Sequence, residues 1–242
     1  MSGFDPVGSF DAEEAARYDD EPRGDEADAA AFLAGRAGDG GALEFAIGTG
    51  RIALPVAAHG VPVDGIELSP HMAARLWTKP GGAALDVFPG DMAEVRTGRT
   101  YALAYLVFNT IFNLPDQEAQ IHLFENAERH LADGGVFVVE AAVPSAWIPA
   151  DQEQAVRAER VDATAIAFDT YRYDPATQVL LENHLLITAD GIRFGPIRLR
   201  LAWPAELDLM ARLAGLRLLE RHGGWRGEPF TGTGLHVSVY GR

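Results

Sequence analysis

The segment Glu44-Phe-Ala-Ile-Gly48-Thr-Gly50 decides the fold expected of this chain. It overlaps the apolar run 42–47 and precedes residues 52–58, whose composition predicts a helix. Glycines in a tight strand-to-helix turn let a ligand approach the backbone, and the helix N-terminus offers oriented N–H groups. The full G-x-G-x-x-G fingerprint is absent, because Ala46 and Ala53 stand at its first and last glycine positions. The segment therefore predicts either a site for an adenosine-containing cofactor or a plain strand-to-helix turn.

Outward from this segment, predicted strands and helices alternate along the chain. Further apolar runs predict strands at residues 61–66, 84–88, 101–108 and 136–139, and helical stretches lie between them. This alternation indicates right-handed βαβ units and an α/β, Rossmann-like fold. With two predicted strands near the C-terminus, the result is a mostly parallel, seven-stranded sheet.

A different pattern begins after residue 155. Residues 161–173, 179–188 and 192–201 predict consecutive strands joined by turns, and hence an inserted antiparallel sheet. The length of 242 residues suits one large domain. We divide it into four parts, which are a helical N-terminal lid (1–40), a cofactor-binding core (41–154), the inserted sheet (155–202) and the end of the core (203–242). Asp11 and Asp25 are the predicted N-caps of two lid helices.

Composition excludes several kinds of function. The chain has no cysteine, which excludes disulfides, thiolate metal sites and a cysteine nucleophile. Its net charge of −15 disfavours a broad nucleic-acid-binding face. Lys79, the only lysine, is expected in an exposed turn. The absence of a spanning apolar stretch and of a secretory leader predicts a cytoplasmic protein without membrane contact.

Acidic residues stand at the ends of the first three predicted strands. Glu67, at the end of the second, can accept both hydroxyls of a ribose. Asp91, after the third, can read an adenine amino group, and Glu44 belongs to the first strand. For each acid alone, a solvated loop carboxylate is the alternative. Together, the three predict a ligand site at one edge of the sheet, next to its topological switch point.

On these residues the chain resembles the class I S-adenosylmethionine-dependent methyltransferases. The matching pieces are residues 44–50, 66–69 and 90–92, and Leu131-Ala-Asp-Gly-Gly-Val136 before the fifth strand. Within that family it looks most like small actinobacterial natural-product N-methyltransferases that act on amino sugars and lincosamides. This closer resemblance rests on the inserted sheet and on four sequence features: Tyr18, Arg23-Gly-Asp25, Phe108-Asn-Thr-Ile-Phe-Asn113 and Gly223-Gly-Trp225. Ala46 departs from the glycine usual in the family, but an alanine removes little space.

The resemblance implies S-adenosylmethionine as cofactor, S-adenosylhomocysteine as product, and in-line transfer of a methyl group to an amine of a small molecule. The residues it places around the cofactor are Tyr18, Arg23, Glu44, Ala46, Gly48, Gly50, Arg51, Glu67, Leu68, Met72, Asp91, Met92, Leu106, Val107 and Phe108. For Arg23, the alternative is a surface ion pair with Asp25 or Glu26.

Six residues are candidates for the transfer site. They are Tyr18, Asn109, Phe112, Asn113, Glu140 and His184. Aromatic ring faces attract a sulfonium or an alkylammonium, and two amides beside a buried strand end need polar partners. Glu140 and His184 are the candidate bases. The alternatives are a core position for Phe112 and a sheet-surface position for His184.

Other chemistries lack their residues. The Asn/Asp-Pro-Pro-aromatic motif of methyltransferases that act on planar nitrogens is missing, and no carboxylate or cysteine set predicts a metal site. Transfer to oxygen or carbon, and a nicotinamide-dependent oxidoreductase, remain as alternatives. The expected partner is a small-molecule substrate and not nucleic acid, and an exposed edge of the inserted sheet allows a homodimer.

Overall fold

The computed structural model describes residues 9–20, 23–148 and 154–242. Its helices are α1 Ala12–Arg17, α2 Glu26–Ala37, α3 Ala53–Ala58, α4 Pro70–Trp77, α5 Gln117–His130 and α6 Pro204–Leu213. Its strands are β1 Ala42–Phe45, β2 Val63–Glu67, β3 Asp86–Pro89, β4 Tyr101–Leu106, β5 Leu131–Ala142, β6 Gln154–Val161, β7 Ala165–Asp174, β8 Val179–Thr188, β9 Gly191–Arg200, β10 Arg217–His222 and β11 Leu235–Gly241.

The larger sheet has seven strands in the order β10-β11-β5-β4-β1-β2-β3. Neighbours from β5 to β3 pair in parallel, whereas β11 runs antiparallel to both β5 and β10. The expected Rossmann-like α/β fold is therefore confirmed. The strand order reverses between β1 and β4, so the carboxyl ends of β1, β2, β3 and β4 open on one edge beside that switch point.

Two buried clusters cover the faces of this sheet. Helices α2, α3 and α4 supply one, which includes Leu33, Val56 and Leu76. Helices α5 and α6 supply the other, in which the ring of Phe124 meets the edges of Phe137 and Tyr240. Burial on both faces explains why β4 is almost wholly apolar.

Local capping fixes several helix starts. Asp11 accepts the N–H groups of Glu13 and Glu14 at 2.9 Å, and Ser69 accepts the N–H of Met72, as their sequence positions indicate. Asp25 precedes α2, but its carboxylate makes no cap hydrogen bond. It binds Arg51 instead, at 2.6 Å.

The inserted sheet has four antiparallel strands, in the order β6-β7-β8-β9, and not three. The predicted strand 161–173 corresponds to β7, and a turn at Asp162, which accepts the N–H groups of Thr164 and Ala165 at 2.8 Å, separates it from a preceding strand, β6, that ends at Val161. Strand β6 escaped prediction because it is almost wholly exposed and lacks an apolar run. Within the described residues, no helix has the length and apolar character needed to cross a membrane.

Candidate active site

A cavity of about 610 Å³ lies over the carboxyl ends of β1 to β4. The loops after those strands form its floor, α1 and the following segment cover one side, and the inner face of the inserted sheet forms the opposite wall. Its polar and aromatic lining residues are Phe10, Glu14, Tyr18, Arg23, Glu67, Ser69, Asp91, Phe108, Asn109, Thr110, Asn113, Trp147, Arg157, Glu159, Asp169, Tyr171, Glu182 and His184.

Glu67 ties together two loops of the floor. Its buried carboxylate accepts the N–H of Gly48 and the N–H of Ser69, both at 2.7 Å. Burial raises the pKa of Glu67, and the N–H groups of Ser69, Gly48 and Leu68 oppose that rise. A carboxylate has about four lone-pair positions, so two remain for ligand hydroxyls.

The loop after β1 is built from left-handed backbone. Ala46, Gly48 and Gly50 have φ values of 52°, 58° and 77°. At Gly50 a side chain would also collide with Leu76, so the glycine is required by both backbone and space. Ala46 adopts a conformation that costs a residue with a Cβ about 1–2 kcal/mol.

Two arginines meet at Phe108, just after β4. The guanidinium carbon of Arg23 lies 3.4 Å from the ring centroid of Phe108 and 4.8 Å from that of Tyr18. The guanidinium of Arg51 lies 5.3 Å from the same Phe108 ring. Asp25 and Glu26 form ion pairs with Arg51 and not with Arg23, which corrects the surface ion pair considered above.

Phe108 and Asn109 form a left-handed turn, with φ values of 57° and 61°. Glu140 holds this turn, because its Oε2 accepts the Phe108 N–H at 2.7 Å and its Oε1 accepts the Trp225 indole N–H at 3.0 Å. The side-chain oxygen of Asn109 accepts the N–H of Ala142 at 2.6 Å. The turn thus presents one aromatic and one amide side chain to the cavity.

The N-terminal segment is tied to the floor. Asp19 binds the Thr49 hydroxyl and the Lys79 ammonium, both at 2.7 Å, and Lys79 also donates to the Thr49 carbonyl. Ser69 donates its hydroxyl to the Phe10 carbonyl at 2.6 Å. Lys79 is therefore a clamp between lid and floor; it lies in the expected turn, after α4, but its side chain is half-buried and not exposed.

The wall formed by the inserted sheet is acidic. Arg157 pairs with Glu159 at 3.0 Å on β6, and Asp169 on β7 binds His184 on β8 at 2.6 Å. Glu182 precedes His184 by two residues and therefore lies on the same face of β8. The floor that carries Glu67 and Asp91 thus faces a wall suited to a cation.

This arrangement agrees with the comparisons with known proteins. Residues 42–135 match a family model described as a methyltransferase domain. The chain is similar to the CcbJ methyltransferase from Streptomyces caelestis, with 35% sequence identity, a TM-score of 0.91 and 98% of each chain covered. The chain belongs to the class I S-adenosylmethionine-dependent methyltransferases. The nicotinamide-dependent alternative finds no support among these relatives.

Two other similar proteins are named as an N-terminal methyltransferase and as an amino pentose methyltransferase. One is the cypemycin N-terminal methyltransferase from a Streptomyces species, 26% identical over 197 residues, which cover 81% of this chain and 80% of that protein. The other is CalS10, an amino pentose methyltransferase from Micromonospora echinaspora that was solved with S-adenosylmethionine bound. It is 25% identical, with a TM-score of 0.67, over 99% of this chain and 98% of its own.

The cavity brings together most of the residues singled out in the sequence. Those that line it are Tyr18, Arg23, Ala46, Gly48, Glu67, Leu68, Met72, Asp91, Met92, Phe108, Asn109, Asn113 and His184. Asp91 also accepts the N–H of Ala93 at 2.8 Å, which fixes its orientation.

Other predicted residues lie behind the lining. Glu44 points away from the cavity, because β1 ends only at Phe45 and its carboxylate accepts the Tyr105 hydroxyl at 3.0 Å. Burial raises the pKa of Glu44 to about 8. Glu140 is buried behind the turn, where it accepts from Phe108 and Trp225, and it does not line the cavity as a base would have to. Buried or supporting positions are also taken by Gly50, Arg51, Leu106, Val107 and Phe112.

Sequence reasoning missed much of the wall. Four charged residues line the cavity from strands whose alternation of polar and apolar residues resembles that of any exposed sheet: Arg157, Glu159, Asp169 and Glu182. The register Asp169 opposite His184 was the signal that could have found them, but it depends on the turn between β7 and β8. Phe10 and Glu14 were missed because the lid has no strong pattern.

Proposed function

We propose that this methyltransferase transfers the methyl group of S-adenosylmethionine to an amine nitrogen of a small natural-product intermediate. The observation that carries the proposal is the continuity of the cavity, which extends from Gly48 and Glu67 on the floor to Glu182 and His184 on the acidic wall. An acidic wall favours a cationic acceptor over a neutral one. The names of the cypemycin and amino pentose relatives support the same chemistry.

The described residues fit the cofactor. The two free acceptor positions of Glu67 suit the ribose hydroxyls, and Asp91 suits the adenine amino group. The Nη2 group of Arg51 is buried and has no hydrogen-bond partner among the described residues. Arg23 lines the cavity, so we assign it to the carboxylate of the methionine part, since charge-assisted hydrogen bonds are strong, and Arg51 behind it adds positive charge. When bound, the cofactor supplies a methyl group already activated by the sulfonium.

The protein's contribution to transfer is mainly positional. The ring faces of Tyr18 and Phe108 attract cationic groups, while Asn109 and Asn113 offer amides to polar groups of the acceptor. The lid, clamped through Asp19, excludes water from the floor. Holding two reactants in line can contribute about 7–11 kcal/mol to the reduction of the barrier.

Partner choice follows from the surface. The net charge of −15 supports the proposal that neither nucleic acid nor an anionic membrane is a partner. Exposed Ile166, Ile192 and Phe194 on the outer face of the inserted sheet support a homodimer formed by that sheet. Light scattering at micromolar concentration tests this, and a monomer mass would refute it.

The test of the proposed reaction uses matched acceptors. The purified protein and S-adenosylmethionine are incubated with an amino-sugar glycoside, a proline amide and a dipeptide, each paired with its hydroxyl counterpart. Mass spectrometry of the products and release of S-adenosylhomocysteine are the readouts. Methylation confined to amines is expected. Methylation of hydroxyl or carbon acceptors with the amines untouched would reject transfer to nitrogen.

A further inference from the structure

Three titratable side chains meet on the inner face of the inserted sheet. Asp169 on β7 stands directly opposite His184 on β8, and Glu182 lies two residues along β8 on the same face. One ligand atom from each of the three lies within 4.8 Å of the others, and all three line the cavity. Since the strands are hydrogen-bonded along their whole length, the sheet fixes this arrangement.

The hydrogen bond between Asp169 and His184 sets the tautomer of the imidazole. It joins Oδ1 to Nδ1 at 2.6 Å. An ionised carboxylate can only accept, so the proton lies on Nδ1 and the lone pair of the neutral ring lies on Nε2. The imidazolium that forms when Nε2 takes a proton is stabilised by the same carboxylate.

Glu182 is the unpaired member of the group. Among the described residues its carboxylate has no hydrogen-bond or ion-pair partner, whereas Glu159 beside it is paired with Arg157. Burial raises the pKa of Glu182; His184 in its protonated form and Arg157 oppose that rise, whereas Asp169 and Glu159 add to it. A half-buried carboxylate without a partner is costly, and a cationic ligand removes the cost. The other titratable groups that line the same cavity are Glu14, Tyr18, Arg23, Arg157, Glu159 and Tyr171.

We propose that Glu182 binds the acceptor as its ammonium ion and that His184, positioned by Asp169, removes the proton that blocks transfer. This rests on the proposed function, and it narrows the substrate class to amines that are protonated at neutral pH. An ammonium N–H bond breaks and its proton moves to Nε2 of His184. The freed nitrogen lone pair then forms the N–C bond as the C–S bond breaks, with that electron pair left on the sulfur. His184 afterwards returns the proton to water.

The experiment is a pH profile with the best amine of the acceptor set. His184→Gln can use only the fraction of amine that is already neutral. Its kcat/KM should fall by about 100-fold at pH 7 and approach the wild-type value near pH 10, because general-base catalysis is worth about 10²–10⁴. Glu182→Gln should raise the KM for the amine by about tenfold with little change in kcat. Asp190→Asn, in the exposed turn between β8 and β9, is the matched control and should match the wild type.

A second measurement needs no acceptor. Nitrogen-15 NMR of the S-adenosylhomocysteine complex should show His184 with its proton on Nδ1, and Asp169→Asn should weaken that preference. A dominant Nε2–H tautomer would overturn the proposal.

Two further outcomes would also overturn it. A His184→Gln profile that parallels the wild type at every pH means a structural role. One tightly bound zinc ion per chain, with activity lost on chelation, means that the group is a metal site. If the wild type methylates only hydroxyls, the proposed function itself is wrong. This result differs from the two above because the wild type then leaves every amine unmodified.

Discussion

Replacement of Glu67 by alanine tests the cofactor site most directly. The carboxylate accepts two backbone N–H groups at 2.7 Å and has two acceptor positions left for the ribose. Hydrogen bonds to charged groups contribute about 1.5–3 kcal/mol each. The loss of two ribose contacts at about 1.5 kcal/mol each corresponds to about a 100-fold rise in the Kd for S-adenosylhomocysteine. The two loop contacts are lost as well, so the free energy of unfolding of the unliganded protein should fall by a similar amount.

Isothermal titration calorimetry measures the first effect and urea unfolding the second. Glu94→Ala, which removes an exposed glutamate from the same edge of the sheet, is the control and should change neither. Burial raises the pKa of Glu67, and a protonated carboxyl accepts fewer hydrogen bonds from the ribose. Acidification from neutral pH should therefore lower the affinity of the wild type for S-adenosylhomocysteine, while the affinity of Glu67→Ala should not change with pH. An unchanged Kd in Glu67→Ala would show that the ribose is bound elsewhere and would refute the assignment.

Three further variants test the surrounding structure. Ala46→Gly should raise the free energy of unfolding by about 0.5–1 kcal/mol, because relief of the left-handed strain exceeds the added flexibility of the unfolded chain; a loss of stability in urea would contradict this. Glu44→Gln should become progressively more stable than the wild type between pH 5 and pH 8. In this pH window Glu44 is ionised in the unfolded wild type, whereas in the folded protein, where its pKa is about 8, it keeps its proton. The wild type therefore loses about 1.4 kcal/mol of stability for each pH unit, and the variant does not. Stability curves that run parallel with pH would disprove this prediction. Glu140→Gln should cost about 1–3 kcal/mol, because an amide cannot accept from both Phe108 and Trp225, and it should leave the shape of the pH–rate profile unchanged, whereas a shifted profile would indicate a base.

The cofactor side of the site could be predicted from sequence because its signals are local. A glycine-rich turn, an acid at the end of β2 and another after β3 each follow a strand directly, and the parallel sheet brings those ends together. Glu44 was wrongly placed at the cofactor by the same kind of local signal. Nothing local distinguishes a carboxylate at the end of a strand from one within it that binds Tyr105.

The acceptor side depends on pairing between distant segments. Asp169 and His184 meet only through the register of β7 with β8, and a slip of β8 by one residue would turn His184 to the outer face, away from Asp169. Strand β6 carries charges on an exposed edge, where hydrophobic periodicity gives no signal. Lid contacts such as Asp19 with Lys79 join residues that no motif links.

The clamp formed by Lys79 makes the chain unusually convenient for labelling. An acylating dye finds a single lysine in the sequence, and the rate at which it reacts reports how often that amine leaves Asp19 and the Thr49 carbonyl. Since the sequence has no cysteine, a thiol introduced at Asp190 would be equally unique. A donor and an acceptor fluorophore can therefore be attached by orthogonal chemistry without removing any native side chain, once the α-amino group of the chain has been blocked.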